Sequence, residues 1–100
     1  MTDTADGIQP KATHEPDAQR YVLRVGSEIV SVVDYRVNGD RVSMTRTFTN
    51  PAHRGKGYAA QIVAFAVDDV EAAGRAVVPM CWYVAHWFDE HPERVALLAK

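Results

Sequence analysis

Four consecutive residues, Arg54-Gly55-Lys56-Gly57, stand directly before a long run of apolar residues at helical spacing. A helix start offers backbone N–H groups without intrahelical partners and the positive end of the helix dipole, so it attracts an anion. Gly55 and Gly57 let an anion approach the backbone closely. Arg54 and Lys56 place positive charge where the dipole disfavours it unless an anion is present. A phosphate-bearing ligand resolves that conflict; the plain alternative is an exposed loop whose glycines turn the chain. Gly55, Gly57 and Ala60 also fit the loose dinucleotide pattern GxGxxA, but "RAVVPM" supplies no acidic residue about 20 positions on to hold a ribose. Gly55-Lys56-Gly57 closes no nucleotide P-loop either, because no Lys followed by Ser or Thr completes it.

Cys81, the single cysteine, stands where "AVVPM" meets "CWYVAHWFDEH". A thiol at a helix start has a lowered pKa. Against a chemical role, Cys81 shares a helical stripe with Val84 and Phe88, where a small side chain packs well. Tyr83 is able to donate a proton to a departing thiolate, or to pack at a pocket rim. His53 and His86 are candidate bases, although lone exposed histidines are commonly just solvated. Asp68, Asp69 and Glu71 read as the solvated face of a helix, Trp82 and Trp87 as core or rim packing, and His91-Pro92 as a helix boundary. No cluster has metal-ligand spacing, so no metal is expected.

The elements that must position these residues follow from periodicity. "RYVLRV" alternates, "EIVSVVDYRV" and "RVSMTRTFT" are rich in β-branched residues, and Asn38-Gly39 between the latter two signals a hairpin. Pro51 ends the third strand. Ala59, Ile62, Val63, Ala66, Val67, Val70 and Ala73 recur at helical spacing, and Gly74 is placed to cap that helix. "AVVPM" is apolar on both faces, as a buried parallel strand is. "CWYVAHWFDEH" starts a second helix, and Pro92 suits the first turn of a last short one, "PERVALLAK". The reading is an α/β (α+β) domain: three antiparallel strands, a helix, a parallel strand and a helix.

Composition bounds the function. One hundred residues, 47% hydrophobic, make one small domain with a modest core. Residues 1–19 carry four carboxylates against Lys11 and almost no large apolar side chain, which predicts a disordered acidic tail before a folded domain at 20–100. The folded part, with ten Lys/Arg and nine Asp/Glu, is too near neutral for bulk binding to nucleic acid. No stretch approaches a membrane span, no apolar leader is visible, and one cysteine forms no internal disulfide, so a cytoplasmic location is expected.

The RxxGxA spacing of Arg54, Gly57 and Ala59 after a hairpin resembles the pyrophosphate-binding motif of the GCN5-related N-acetyltransferases. Over about residues 20 to 98, "TFTNPAHRGKGYAAQIVAFAV" and "VVPMCWYVAHWFDEHPE" are similar to the very small subgroup described as YjdJ-type or NATD1-like. That subgroup has a Thr-x-Val/Thr-x-Pro lead-in, an Arg-Gly-x-Gly loop, a Pro-x-Cys strand end and often a His-Pro. The resemblance implies a minimal form of the family fold, without N-terminal helices or C-terminal hairpin. It implies acetyl coenzyme A as co-substrate, held at His53, Arg54, Gly55, Lys56, Gly57, Tyr58 and Ala59. The strand at 44–49 would splay from its parallel neighbour at 77–80, and the pantetheine arm would bond along the opened edge at Phe48 and Thr49. Acetyl transfer to an amine follows, with Cys81 beside the thioester as a covalent intermediate or as a wall of the pocket, and Tyr83 and His86 as acid–base candidates. Many relatives carry Tyr where this sequence has Trp87. An unperturbed lysine amine has a pKa of about 10.4, so a base or a dry pocket is required. So small a domain would leave the coenzyme open, which suits a protein or peptide amine. The competing class is a non-catalytic acyl coenzyme A binding or interaction module.

Overall fold

A computed structural model describes residues 9–100. Its strands are β1 (Lys11–Glu15), β2 (Arg20–Val25), β3 (Glu28–Asn38), β4 (Arg41–Thr49) and β5 (Ala76–Pro79); its helices are α1 (Tyr58–Ala72) and α2 (Trp82–Asp89). They form one sheet in the order β1-β2-β3-β4-β5, antiparallel up to β4 and parallel between β4 and β5. The α/β class and the order of the elements are those the sequence implies, with one strand more than expected.

The extra strand corrects the reading of residues 1–19 as disordered. Residues 1–8 lie outside the described residues, but 11–15 pair in register with β2 and 16–18 form a 3-10 turn. Composition missed β1 because polar contacts rather than apolar ones hold it. Glu15 receives Arg20 at 2.7 Å and Arg24 at 3.0 Å, and His14 bonds the Tyr35 hydroxyl at 2.6 Å. The two arginines hold the Glu15 carboxyl below the usual range.

Helix α1 buries Ile62, Val63, Ala66, Val67 and Val70 on one face. They meet Leu23, Val33, Val42, Met44 and Val77 of the sheet. Each such side chain contributes about 1.5–3 kcal/mol when fully buried, so this layer dominates the stability. Gly74 ends α1 in a Schellman arrangement, with Gly74 N–H on Glu71 O and Arg75 N–H on Val70 O. Helix α2 adds Val84, Trp87 and Phe88 to the same core. Trp87 is 4% exposed and stacks on His91 at 4.0 Å. The expected last helix is a 3-10 segment, Pro92–Leu97.

The feature that matters for function is where β4 leaves β5. Their pairing ends at Met44 opposite Pro79. Proline has no N–H to continue a ladder, and the Met80 N–H turns back onto Val78 O at 3.0 Å. On β4, Asp34 pairs with Arg46 while Tyr35 pairs with Met44, so Thr45 is an extra, unpaired residue. Such a bulge bends its strand. It also shifts the alternation by one residue. Val42 and Met44 face the core before it, and Thr47 and Thr49 take the helix-covered side after it.

Candidate functional site

The loop from β4 to α1 is tied down before it reaches the helix. Asn50 Oδ1 accepts from Ala52 N–H at 3.0 Å, and Asn50 Nδ2 donates to Glu28 at 3.3 Å. Lys56 Nζ donates to His53 Nδ1 at 3.2 Å, which leaves Nε2 as the protonated nitrogen of His53 facing Glu28 Oε2 at 3.0 Å. His53 is therefore a strut between β3 and the loop rather than a free base.

Gly55 and Gly57 both have φ near +80°, at 83° and 78°, which L side chains rarely adopt. Gly57 is the N-cap of α1 and offers no side chain to cap it. The first intrahelical bond runs from Gln61 N–H to Gly57 O, so the N–H groups of Tyr58, Ala59 and Ala60 come before the ladder begins. No acidic residue occupies the first turn. Among the described residues Arg54 has no carboxylate within 4.0 Å. Unpartnered donors and a free cation thus converge where the glycine backbone is bare.

From this helix start an open cleft of about 450 Å³ runs toward the start of α2. Its walls are His53, Arg54, Gly55, Gly57, Tyr58, Ala59 and Ala60 at one end, Thr47 and Thr49 along β4, and Trp82 and Tyr83 at the other end. Its size is within the range of small-molecule and cofactor sites. Ser31, 0% exposed, fixes the β4 wall: its hydroxyl donates to Phe48 O at 3.1 Å, which leaves Thr49 Oγ1, 2.9 Å away, to donate back to Ser31. The Thr49 oxygen is left as an acceptor.

Cys81 is the N-cap of α2, and its backbone N–H reaches Met44 O at 3.0 Å, just where β4 and β5 part. The thiol donates to Thr47 Oγ1 at 3.5 Å. Burial disfavours the thiolate, but the Thr47 hydroxyl and the backbone N–H groups of Tyr83 and Val84 outweigh it, and the Cys81 pKa lies below its ordinary value. Tyr83 is pushed the other way, by burial first and then by Glu90, so its phenol stays protonated.

Of the residues singled out from the sequence, Thr49, His53, Arg54, Gly55, Gly57, Tyr58, Ala59 and Tyr83 share the cleft, and Cys81 reaches it through Thr47. Lys56 serves His53 from outside. Phe48 lies on the far face with the Arg46 guanidinium 5.3 Å from its ring centroid, and its carbonyl accepts from Ser31 of β3, so it does not line the cleft. His86 is exposed and pairs with Glu90 at 3.4 Å, outside the cleft. Trp87 is core and does not line the cleft. Thr47 was not singled out, although the Thr-x-Thr lead-in before Pro51 was an available signal; Ala60 was weighed only in the dinucleotide pattern and Trp82 only as core or rim packing, and both line the cleft. Asp69 does more than face solvent, since Tyr21 donates to it at 2.8 Å, while Asp68 and Glu71 hold Arg94. Among the described residues no group of side chains could hold a metal ion, and no helix is long and apolar enough to cross a membrane.

A family model described as GCN5-related N-acetyl-transferase matches residues 20–98. No curated protein matches in sequence. Among solved structures, the chain is similar to a GCN5-like protein from Staphylococcus aureus, with TM-score 0.68, 12% identity, and 99% of this chain and 91% of that one covered. It is similar over 58% of its length to the ribosomal-protein-S18-alanine N-acetyltransferase of Escherichia coli, with TM-score 0.56 and 15% identity. Over 86% it is similar to the N-acetylglutamate synthase of Neisseria gonorrhoeae, solved with coenzyme A and N-acetyl-glutamate, with TM-score 0.58 and 15% identity. It spans 38% of the length of the Escherichia coli enzyme and 22% of the length of the Neisseria enzyme. At these identities the likeness is one of fold.

Proposed function

The chain belongs to the GCN5-related N-acetyltransferase family, and from that premise we propose that it binds acetyl coenzyme A in the cleft and transfers the acetyl group to an amine. The observation that carries this reading is the junction of two features in one cleft. Partnerless N–H groups, positive-φ glycines and Arg54 stand at one end, and toward the other runs an opened strand edge whose Thr47 is bonded by the Cys81 thiol from behind. The pyrophosphate sits at the start of α1, held by the N–H groups of Tyr58 to Ala60 and by Arg54. The pantetheine arm runs along β4, where Thr49 accepts a hydrogen bond from an amide N–H. The thioester then lies beside Cys81. The nearly full coverage of the small Staphylococcus aureus structure supports a minimal form of the family fold; that the chain is a YjdJ-type member rests on the motifs at Thr47–Pro51, Arg54–Gly57 and Pro79–Cys81.

The transfer proceeds through the Cys81 thiolate, which the lowered pKa favours. Its sulfur attacks the thioester carbonyl, an S–C bond forms on Cys81, and the bond to the coenzyme sulfur breaks. Tyr83, held protonated, gives its proton to the departing thiolate. The acceptor amine, as the free base, attacks acetyl-Cys81; the C–N bond forms, the Cys81 thiolate leaves and the amine proton passes to the Tyr83 phenolate, which restores the phenol.

Calorimetric titration with acetyl coenzyme A, followed by mass spectrometry of the protein mixed with it, tests both parts. One-site binding and an acetyl group on Cys81 are expected. Absence of binding at millimolar ligand removes the function, and binding with turnover in Cys81→Ala removes the covalent step alone.

A further inference from the structure

Helix α2 leaves an unusual surface beside the cleft. Trp82 is 77% exposed, although tryptophan is the largest side chain and the other one, Trp87, is buried. It does not stand alone. The Trp82, Tyr83 and His86 rings lie 5.8, 6.4 and 6.5 Å apart, and Trp82 meets Tyr83 edge-on at 81°. They form a three-ring corner open to solvent. Glu90 stands behind it, 3.4 Å from His86, and Asp89 is exposed next to it. Two walls of the corner, Trp82 and Tyr83, are also walls of the cleft.

The surface is therefore polarised. Arg54, with Lys56 beside it, marks the end at the start of α1, and at the α2 end the aromatic walls lead out of the cleft to His86 and the Glu90 carboxylate. Aromatic faces attract cations, tryptophan most strongly, and a nearby carboxylate adds to the attraction. An open helix face cannot enclose a small molecule, most of whose surface a ligand pocket buries. It suits a chain that passes across it.

We propose that the Trp82–Tyr83–His86 corner, with Glu90, docks the acceptor as a peptide segment bearing a primary ammonium, a lysine side chain or an N-terminal amine. This rests on the acetyltransferase reading for its consequence, but the docking itself requires no cofactor. Trp82 is the exposed tryptophan and Trp87 the buried one, so fluorescence reports the corner directly.

The test titrates the full chain with a blocked glycine–lysine–glycine peptide, its Nε-acetylated form, and spermidine, following tryptophan emission without and with acetyl coenzyme A. The lysine peptide is expected to bind saturably in both conditions, and the acetylated peptide about two- to fivefold more weakly, as loss of an exposed cation–π contact implies. Trp82→Ala weakens the peptide about two- to fivefold, Trp82→Phe restores most of the loss, and Glu90→Gln weakens it about twofold. Equal binding of the acetylated peptide overturns the ammonium requirement, and equal binding of spermidine overturns the peptide. Trp82→Ala lowering acetyl coenzyme A affinity while sparing the peptide assigns the ring to the cofactor and overturns the proposal. If calorimetry shows no acetyl coenzyme A binding while the peptide still binds, the docking surface stands and the enzyme reading falls.

Discussion

The two ends of α1 both gather polar and aromatic groups against the sheet, and they do so in opposite ways. Near its C-terminal end, Tyr21 donates to Asp69 at 2.8 Å, His14 stacks on Tyr21 at 4.3 Å, its Nδ1 faces Asp69 at 3.4 Å, and its Nε2 bonds Tyr35. Four residues from three strands and the helix satisfy one another. At the N-terminal end the donors of Tyr58 to Ala60 and the Arg54 guanidinium converge without partners among the described residues, over a bare glycine backbone. A polar cluster that closes on itself holds the fold; one left open is arranged for something that arrives later. The comparison separates stability from binding along a single helix, so substitutions at one end should leave the other unmoved.

The largest effect belongs beside the open end. Cys81→Ala is expected to lower turnover on the order of 10³-fold while leaving acetyl coenzyme A affinity within a few-fold. Steady-state kinetics beside calorimetry measure the two. Iodoacetamide should alkylate wild-type Cys81 with a midpoint below the ordinary thiol value of 9.0. Next comes Gly57→Val. Open space surrounds an added Cβ there, so the cost is the positive φ itself, about 1–2 kcal/mol. Relief of that strain moves the N–H groups, and affinity should fall about tenfold or more. Arg54→Ala should cost similar affinity with no change in Tm. Loss of stability without loss of affinity in these two variants would collapse the distinction between the ends.

The closed end predicts the reverse. Tyr21→Phe removes a hydrogen bond to a carboxylate, about 1.5–3 kcal/mol, or roughly 4–8 °C in Tm for each kcal/mol in a domain this size. Acetyl coenzyme A affinity should not change. Burial, then the hydrogen bond and charge of Asp69, push the Tyr21 phenol above its ordinary value of 10.0. A raised pKa means that this stabilisation is complete below about pH 10 and is lost as pH rises beyond it. Thermal melts in alkaline buffers should therefore show a steeper loss for the wild type than for Tyr21→Phe. Equal slopes would remove Tyr21 from the network's energetics.

Much of the open end was legible in the sequence, because its signal is a local conflict: cations and glycines where a helix dipole disfavours the one and propensity the other. The β-branched runs and the 3.6 period of α1 were legible for the same reason, since each is written in neighbouring residues. The closed end was not. Asp69 looks like any helix-surface carboxylate until Tyr21, 48 residues away, is folded onto it. The Thr45 bulge carries no glycine or proline to announce it, yet it decides that Thr47 and Thr49 rather than Phe48 face the cleft. Trp82 and Trp87 share a type and a helix, and only packing makes one rim and the other core.

The smallest effect tests β1, the element composition argued against, which supplies His14 to the closed end. Its Glu15 is held low in pKa by hydrogen bonds from Arg20 and then Arg24. A depressed carboxylate contributes stability above its unfolded pKa, and that contribution disappears as pH falls through the folded value. The Glu15 contacts are partly exposed, so Glu15→Gln should lower Tm by only a degree or two at neutral pH, and the difference from wild type should vanish as pH drops below about 4, where a free Glu protonates. Added salt should narrow it as well. A deficit that persists unchanged in acid would mean that Glu15 holds the strand through packing rather than charge. If acetyl coenzyme A affinity fell along with Tm, the closed end would not be independent of the open one after all.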